Sequence, residues 1–396
     1  MSDAAPPLPS MPPLAGVSLA TVPTAIGYAG RDDILMASFA PGTVAAGVLT
    51  QNSAAAAPVL WTRQRLANAD APAALLINAG NANCYTGQAG HRIVKDAAAR
   101  AAVRLDANPE NIYICSTGRI GQQVPPQAML DAIDTLADQR GDDNWHAAAR
   151  AIMTTDRWPK AAVVKVKTSD GTATLYGLAK GTSMLAPNMA TTINAVFTDA
   201  KISRADLQAA LDAAVVTTYN SISVDETTST NDSLLVFATG AGATVSKDDL
   251  GAFQAALMDL LHQMAQALLA DARKDGRLVE CRVVGAETDA AARNIARSIS
   301  RSLLLRRVLA TGQLFAADQS SAGRILAAAG TSLEAMARER LTIRVGGAIV
   351  LRDGEVIAHP GDAARNGFAG DRVEIVFNAA VGKGIGTVWT VVPPAT

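Results

Sequence analysis

Cysteine is scarce in this 396-residue chain: Cys84, Cys115 and Cys281 are three, odd in number and widely spaced. That excludes a disulfide framework and offers no zinc pattern. Histidine is also scarce, and His91, His146, His262 and His359 are too scattered to suggest a metal site or a triad. Neither charge sign is in surplus. The net charge is −1 and the pI about 6.4, which removes the electrostatic case for a nucleic-acid partner. No apolar run reaches the ~20 residues that a bilayer-spanning helix needs. The opening "MSDAAPPLPSMPPLAG" lacks a basic n-region and an apolar h-region, so it does not read as a secretory signal. Its prolines predict an extended, poorly ordered arm over 1–16. The expectation is a cytoplasmic protein with no metal, no cofactor, and neither nucleic acid nor membrane as partner.

What is present is ordinary globular composition, 49% hydrophobic and 18% charged. At roughly 150 residues per domain, the length suggests two or three domains. Strand-like runs occur at 34–40, 74–80, 111–117, 161–167, 174–180, 193–198, 233–240, 278–285, 341–351 and 372–378. Helical periodicity marks 88–104, 125–139, 203–217, 247–273, 285–301 and 331–339. In the longest, Phe253, Leu257, Leu260, Leu261, Met264 and Leu268 recur at three- and four-residue steps, one apolar face. Helices fall irregularly between strands, which favours α+β layers over an alternating parallel sheet. A boundary is expected near 285, giving a core over 17–284 and a smaller C-terminal α/β domain over 285–396.

The stretch "AKGTSMLAPNMATTINAVFTDA" (179–200) holds the first candidate chemistry. A threonine hydroxyl is a weak nucleophile unless a base adjoins it, and a residue's own α-amino group can be that base. Thr191 would gain such a group if the bond after Ala190 were cut. Its hydroxyl can make that cut: Oγ attacks the Ala190 carbonyl, the acyl group shifts from nitrogen to oxygen, and water opens the ester. Pro187 restricts the approach, and small Ala190 leaves its carbonyl reachable. A β-strand entered through a proline turn is the plainer alternative, and these residues alone leave it open. In "CSTGRIG" (115–121), Ser116, Thr117 and Gly118 follow a strand run and end it. A hydroxyl and a backbone N–H there could donate to an oxyanion, or the segment is a glycine turn.

"INAGNANCYTGQAG" (77–90) and "SVDETTSTNDS" (223–233) read as turns with side-chain-to-backbone bonds. Asn231-Asp232-Ser233 fits a glycosylation acceptor, which is set aside because nothing indicates secretion. "VGKGIGT" (381–387) opens no helix, so phosphate binding is not expected. Arg297, Arg301, Arg306 and Arg307 read most simply as a solvated face.

Together these stretches resemble the ornithine acetyltransferase family, self-cleaving acyltransferases of cyclic arginine biosynthesis. The resemblance runs from about Val17 to about Thr390, on "TQNSAAAAPVLWTR", "INAGNANCYTG", "STGRIG", "AIMTTD", "AKGTSMLAPNMATT" and "TSTND". It implies that Thr191 is the N-terminal nucleophile freed by cleavage between Ala190 and Thr191. Thr117 and Gly118 would form the oxyanion hole, and Lys180 would help to hold the substrate. It further implies an α+β fold with a layered sheet core and helices outside. The two cleaved halves would assemble as two heavy and two light chains.

The departures from the family fall on its amino-acid pocket. Its "TTDT" is here "TTDR", placing Arg157 at a substrate-contacting threonine. Its "DGEG" is "DGRL", so Arg277 replaces a glutamate expected to meet the substrate ammonium. "DPNWGR" is reduced to Gly323-Arg324, and the sequence stops at "TVWTVVPPAT", without the segment holding the family's substrate-binding asparagine and last hydroxyl residue. At ~4 Å two unit charges interact by about 4 kcal/mol at an effective dielectric of about 20, so the sign reversal decides which ligand is tolerated. Arginine is suited to carboxylate recognition but also bonds carbonyls elsewhere.

The expectation is a self-processing acyltransferase that moves an acyl group, acetyl foremost, from an N-acyl amino acid or related amide to an amine or water. The alternatives are an amidohydrolase, an ordinary ornithine/glutamate N-acetyltransferase, and a paralogue that has lost catalysis.

Overall fold

The computed structural model describes residues 6–24, 26–182, 192–225, 227–274, 276–311, 320–357, 366–367 and 370–394. The chain divides into two compact units, residues 1–219 with 227–268, and residues 220–226 with 269–396.

In the first unit, a four-stranded sheet runs in the order β1 (Val17–Val22), β2 (Ile34–Phe39), β4 (Ala74–Asn81), β5 (Ile112–Arg119). A five-stranded sheet runs β3 (Val44–Leu49), β10 (Ser233–Ala238), β8 (Ile193–Thr198), β7 (Gly171–Lys180), β6 (Lys160–Thr168). Strand β4 is buried along its whole length because successive residues enter different cores. Leu75 and Ile77 join Tyr176, Leu178, Ala195, Phe197 and Phe237 of the other sheet. Ala74 and Leu76 instead pack with helices α2 (Gly87–Leu105) and α3 (Pro126–Asp138). Aromatic rings fill the inter-sheet layer: Phe39 stacks on Phe237 at 4.5 Å, and Trp145 of α4 (Trp145–Ala151) meets Tyr176 edge-on at 4.9 Å.

Helix α1 (Ala57–Asn68) is hooked to β5, where Trp61 and Thr62 donate to the carbonyls of Ile112 and Ile114. Helix α5 (Arg204–Thr217) opens on Ser203, whose hydroxyl accepts from the Asp206 amide. The apolar stripe read in α6 (Leu250–Arg273) is buried from Phe253 to Leu268. Gly177 of β7 lets α6 come close: a Cβ there would lie 2.2 Å from Met264 Sδ. Layered sheets with helices outside are the α+β class expected.

The arm differs from expectation. Over 6–16 it is extended but packed: Met11 and Leu14 are buried, and the carbonyls of Pro12 and Ala15 accept from Tyr176 and Thr239. Its two apolar side chains outweigh the proline signal.

In the second unit, a seven-stranded sheet has the order β14 (Glu355–Val356), β13 (Ala348–Arg352), β12 (Thr342–Val345), β15 (Arg372–Asn378), β11 (Arg277–Ala286), β16 (Gly384–Val392), β9 (Ile222–Ser223). Strand β11 pairs on both edges, and Ala286 still pairs with Gly384, so the 284/285 boundary falls inside a central strand. One sheet face is covered by α7 (Asp289–Arg301), α8 (Leu303–Thr311) and α9 (Ser320–Gly330) over an apolar cluster that includes Ile295, Ile299, Ile375 and Phe377. The run 341–351 is a hairpin rather than one strand, because Gly346 and Gly347 at φ 53° and 83° reverse the chain. The helix expected at 331–339 is absent. The Thr331 hydroxyl donates to the Ala328 carbonyl at the end of α9, and Leu333 turns to φ 61°. The arginines are not a solvated face either: Arg297 and Arg306 are half-buried and donate to backbone carbonyls, Arg306 to Val224 and Val391, while Arg307 is exposed. No described helix is long and apolar enough to cross a membrane.

Candidate active site

Strand pairing brings three chain segments to one place in the first unit. At the start of β8, Ile193 pairs with Lys180 of β7 on one side and with Ser233 of β10 on the other. From the facing sheet, β5 brings Thr117, whose Oγ1 accepts a 3.1 Å hydrogen bond from Lys180 Nζ. Both side chains are buried. The segment 115–119 is not a turn after a strand, since pairing with β4 continues through Gly118 to Arg119 across a bulge at Gly80 and Asn81. Gly118 has φ 135°, and a Cβ there would lie 2.1 Å from the Gly80 carbonyl carbon. Only glycine allows that approach and that backbone angle.

Charge around Lys180 is arranged with little access to water. Asp156 and Lys160 form a 2.7 Å ion pair with side-chain exposures of 0% and 1%. The Asp156 carboxylate also accepts from the amides of Thr154 and Gly181, which ties the "TTD" segment to the end of β7. Burial pushes this carboxyl up, but Lys180, Lys160 and the Gly181 amide together hold it below the usual carboxylate range. Burial lowers the Lys180 ammonium from its ordinary value, Lys160 adds to the effect, and Asp156 and Asp232 oppose it.

Asp232 is fully buried. One oxygen accepts from the Thr192 amide at 2.5 Å, while Oδ2 has no hydrogen-bond partner among the described residues. Desolvation raises this carboxyl well above its ordinary value, against the pull of the Thr192 amide, Lys180 and the Ser229 amide. Asn194 donates to Thr192 Oγ1 and accepts from Tyr219, extending the polar chain inward. Next to Asp232, the Asn231 amide gives its protons to the carbonyls of Ala82 and Ser116, at 2.7 and 2.8 Å. The two polar loops are therefore more than turns. Asn231 joins the two sheets beside Thr117, and Asn78 Oδ1 accepts from the Ser116 hydroxyl at 2.5 Å on the neighbouring strand. Buried Asn231 offers no attachment point for a glycan.

Comparison with known proteins bears on what this arrangement does. The ArgJ family matches residues 18–391. The chain belongs to the ArgJ family. An arginine biosynthesis bifunctional protein ArgJ of Gluconobacter oxydans is 39% identical over 396 residues, 98% of this chain and 92% of that one. Its counterpart in Nitrobacter winogradskyi is 37% identical over 395 residues, 97% and 93% of the two chains. The solved ornithine acetyltransferase of Mycobacterium tuberculosis, in complex with ornithine, is 35% identical with a TM-score of 0.41, covering 44% of this chain and 92% of that chain. As an ArgJ-family member the protein is an acyltransferase.

Of the residues expected at the ArgJ site, Thr117, Gly118 and Lys180 come together. Lys180 meets Thr117 itself. Ala190 and Thr191 lie outside the described residues, and Thr192 is the first described residue after them. Arg157 is exposed, its guanidinium 4.8 Å from the Trp158 ring centroid. Arg277 opens β11 of the second unit, half-buried and paired with Val392. Gly323 and Arg324 lie within α9. Cys84, Cys115 and Cys281 are buried free thiols, and burial pushes Cys115 and Cys281 to about 12. Sequence reasoning missed Asp156, Lys160, Asn231 and Asp232 as site groups. They lie in or beside quoted motifs, but no spacing rule reveals which acids a fold will bury.

Proposed function

We propose that this acyltransferase cuts its own chain between Ala190 and Thr191 and then carries its acyl group on Thr191. The observation that carries the reading is the convergence on the start of β8, with Thr192 held by Asp232 and Lys180 bound to Thr117. In the first reaction Thr191 Oγ adds to the Ala190 carbonyl, the peptide nitrogen leaves as the new α-amino group, and water releases Ala190 as a carboxylate. In the second, that amino group takes the hydroxyl proton while Oγ attacks the acyl donor. Thr117 Oγ1 already accepts from Lys180, so its own proton is free for the oxyanion, which the Gly118 amide would share. The donor's amine then departs with a proton, and a second amine, or water, takes the acyl group from Thr191.

On specificity, Arg157 and Arg277 support a ligand carrying an anion where ornithine carries its ammonium. A second reading, ordinary acetyl exchange between ornithine and glutamate, is favoured by the extent of identity to ArgJ relatives. Two heavy and two light chains are the proposed assembly.

Two measurements test this. Under denaturing conditions the purified protein should run as two fragments, the second beginning at Thr191, and Thr191→Ala should stay a single chain. Protease-free cleavage of that variant would sink the mechanism. Acetyl transfer from N-acetylornithine to glutamate should be poor; turnover comparable to an ordinary member would overturn the anionic pocket and leave the second reading standing.

A further inference from the structure

The dipeptide Asn231-Asp232 touches both halves of the chemistry. Asn231 reaches the facing sheet, where it spends one amide proton on the Ser116 carbonyl, the peptide oxygen just before Thr117. Asp232 reaches along its own sheet and takes the amide proton of Thr192. The backbone of the pair is itself pinned: the Asp232 carbonyl accepts from Thr50, and the Ser233 amide donates to the Thr192 carbonyl. The Asn231 side-chain Oδ1 accepts from the Thr230 hydroxyl, which fixes the orientation of the side-chain amide. Both side chains are buried, so neither contact competes with solvent.

We propose that Asn231 and Asp232 form a two-pronged positioning clamp, which sets the separation between the Thr117 strand and the strand entered through Thr192. The role rests on the reading of Thr191 as nucleophile, because the clamp fixes the residue that follows it. Neither side chain is assigned contact with substrate. They act through Thr117 and through the backbone of β8.

The chemistry of the Asp232 prong follows from its surroundings. A carboxylate buried with one oxygen unpartnered among the described residues would be costly, and burial pushes this carboxyl well above its ordinary value, which favours the neutral form with Oδ1 accepting from Thr192. An asparagine of the same shape keeps that acceptor without charge. An alanine removes it.

The test compares Asp232→Ala and Asp232→Asn in the full-length, processed enzyme. A displacement of about 1 Å can cost ~10²-fold in turnover. Asp232→Ala should therefore lose about that much in kcat with donor KM changed by less than ~3-fold, the signature of lost positioning. Asp232→Asn should recover most of it, to within ~10-fold of wild type on the same argument. A pH series supplies a readout independent of activity. With the folded pKa raised, the folded state retains a proton that the unfolded state has lost, so wild-type stability falls as pH rises above the ordinary carboxylate range. Asp232→Asn lacks this penalty, and its denaturant midpoint should gain on wild type from pH 5 to pH 8. Should the alanine variant not fold, Asp232→Glu, one methylene longer, should show the same fall in kcat at constant KM.

An asparagine variant as impaired as alanine would overturn the clamp, since it would mean that the charge is required. So would wild-type kcat in Asp232→Ala, or a loss confined to KM. Mass analysis of the acylated Thr191 peptide in wild type separates this outcome from the nucleophile assignment: absence of acyl-Thr191 sinks that assignment, while the kcat–KM split still decides the clamp.

Discussion

The two units bury polar groups to different extents. In the first, Lys160, Lys180, Asn194, Asn231 and Asp232 are buried near strand ends, and Asp156 is held against Lys160 with no exposed side-chain surface. In the second, the cluster under the seven-stranded sheet is apolar, the described buried polar side chains are Asp271 and a few hydroxyls, and Arg297 and Arg306 stay half-buried while bonding carbonyls. A buried polar atom left unpaired costs roughly 1–3 kcal/mol, and a charge more. A fold concentrates such groups where geometry matters more than stability. By that criterion the first unit, with its buried lysines, amides and Asp232, gives up more stability to geometry than the second.

The largest expected effect breaks the buried ion pair. Asp156→Ala leaves Lys160 without its carboxylate and should cost about 3–5 kcal/mol of unfolding free energy in urea. In the second unit, Phe377→Ala should cost a similar ~3–5 kcal/mol by cavity formation. Their pH dependence tells them apart. Asp156 has a depressed pKa in the folded state, so its contribution is present above the ordinary carboxylate range and is lost as pH falls through the lowered value. The gap between wild type and Asp156→Ala should close in acid, and that for Phe377→Ala should not. Equal behaviour would erase the comparison.

Glycine substitution should give the next effect. Gly118→Ala imposes an unfavourable backbone angle, a strain of about 1–3 kcal/mol, and drives a Cβ into Gly80, so a loss at the top of that range or above is expected. Gly347→Ala at φ 83° meets no atom within 4 Å and should lose only the conformational part, about 1–2 kcal/mol. Thermal unfolding of both variants checks the order. A loss in Gly347→Ala equal to that in Gly118→Ala would show that close packing adds nothing at the site.

The smallest effect is expected at the surface of the second unit. Arg372 pairs with Glu280 at 2.6 Å but is 67% exposed, and Arg372→Ala should change stability by about 0–1 kcal/mol. A loss near that of Asp156→Ala would show that exposure, rather than burial, fails to separate the units.

Much of the framework was legible from the residues alone. Alternation and three-to-four spacing located β4, β8, β15 and the α6 stripe, because side-chain periodicity is a local property of the chain. The motifs likewise singled out Thr117 and Lys180, whose side chains the fold brings into contact. The failures have local causes too: "TSLEAMARE" reads as helix, but a hydroxyl on the Ala328 carbonyl and a left-handed Leu333 stop it. What only the tertiary structure decided is which polar residues leave water. Asp156 and Asp232 sit in polar segments much like the exposed ones, and nothing in their neighbours distinguishes them. Two lysines hold one carboxyl below its ordinary range while burial under Thr192 pushes the other up, because strand register and the meeting of two sheets, set by contacts far apart in the chain, fix the solvent and the partners each carboxyl sees.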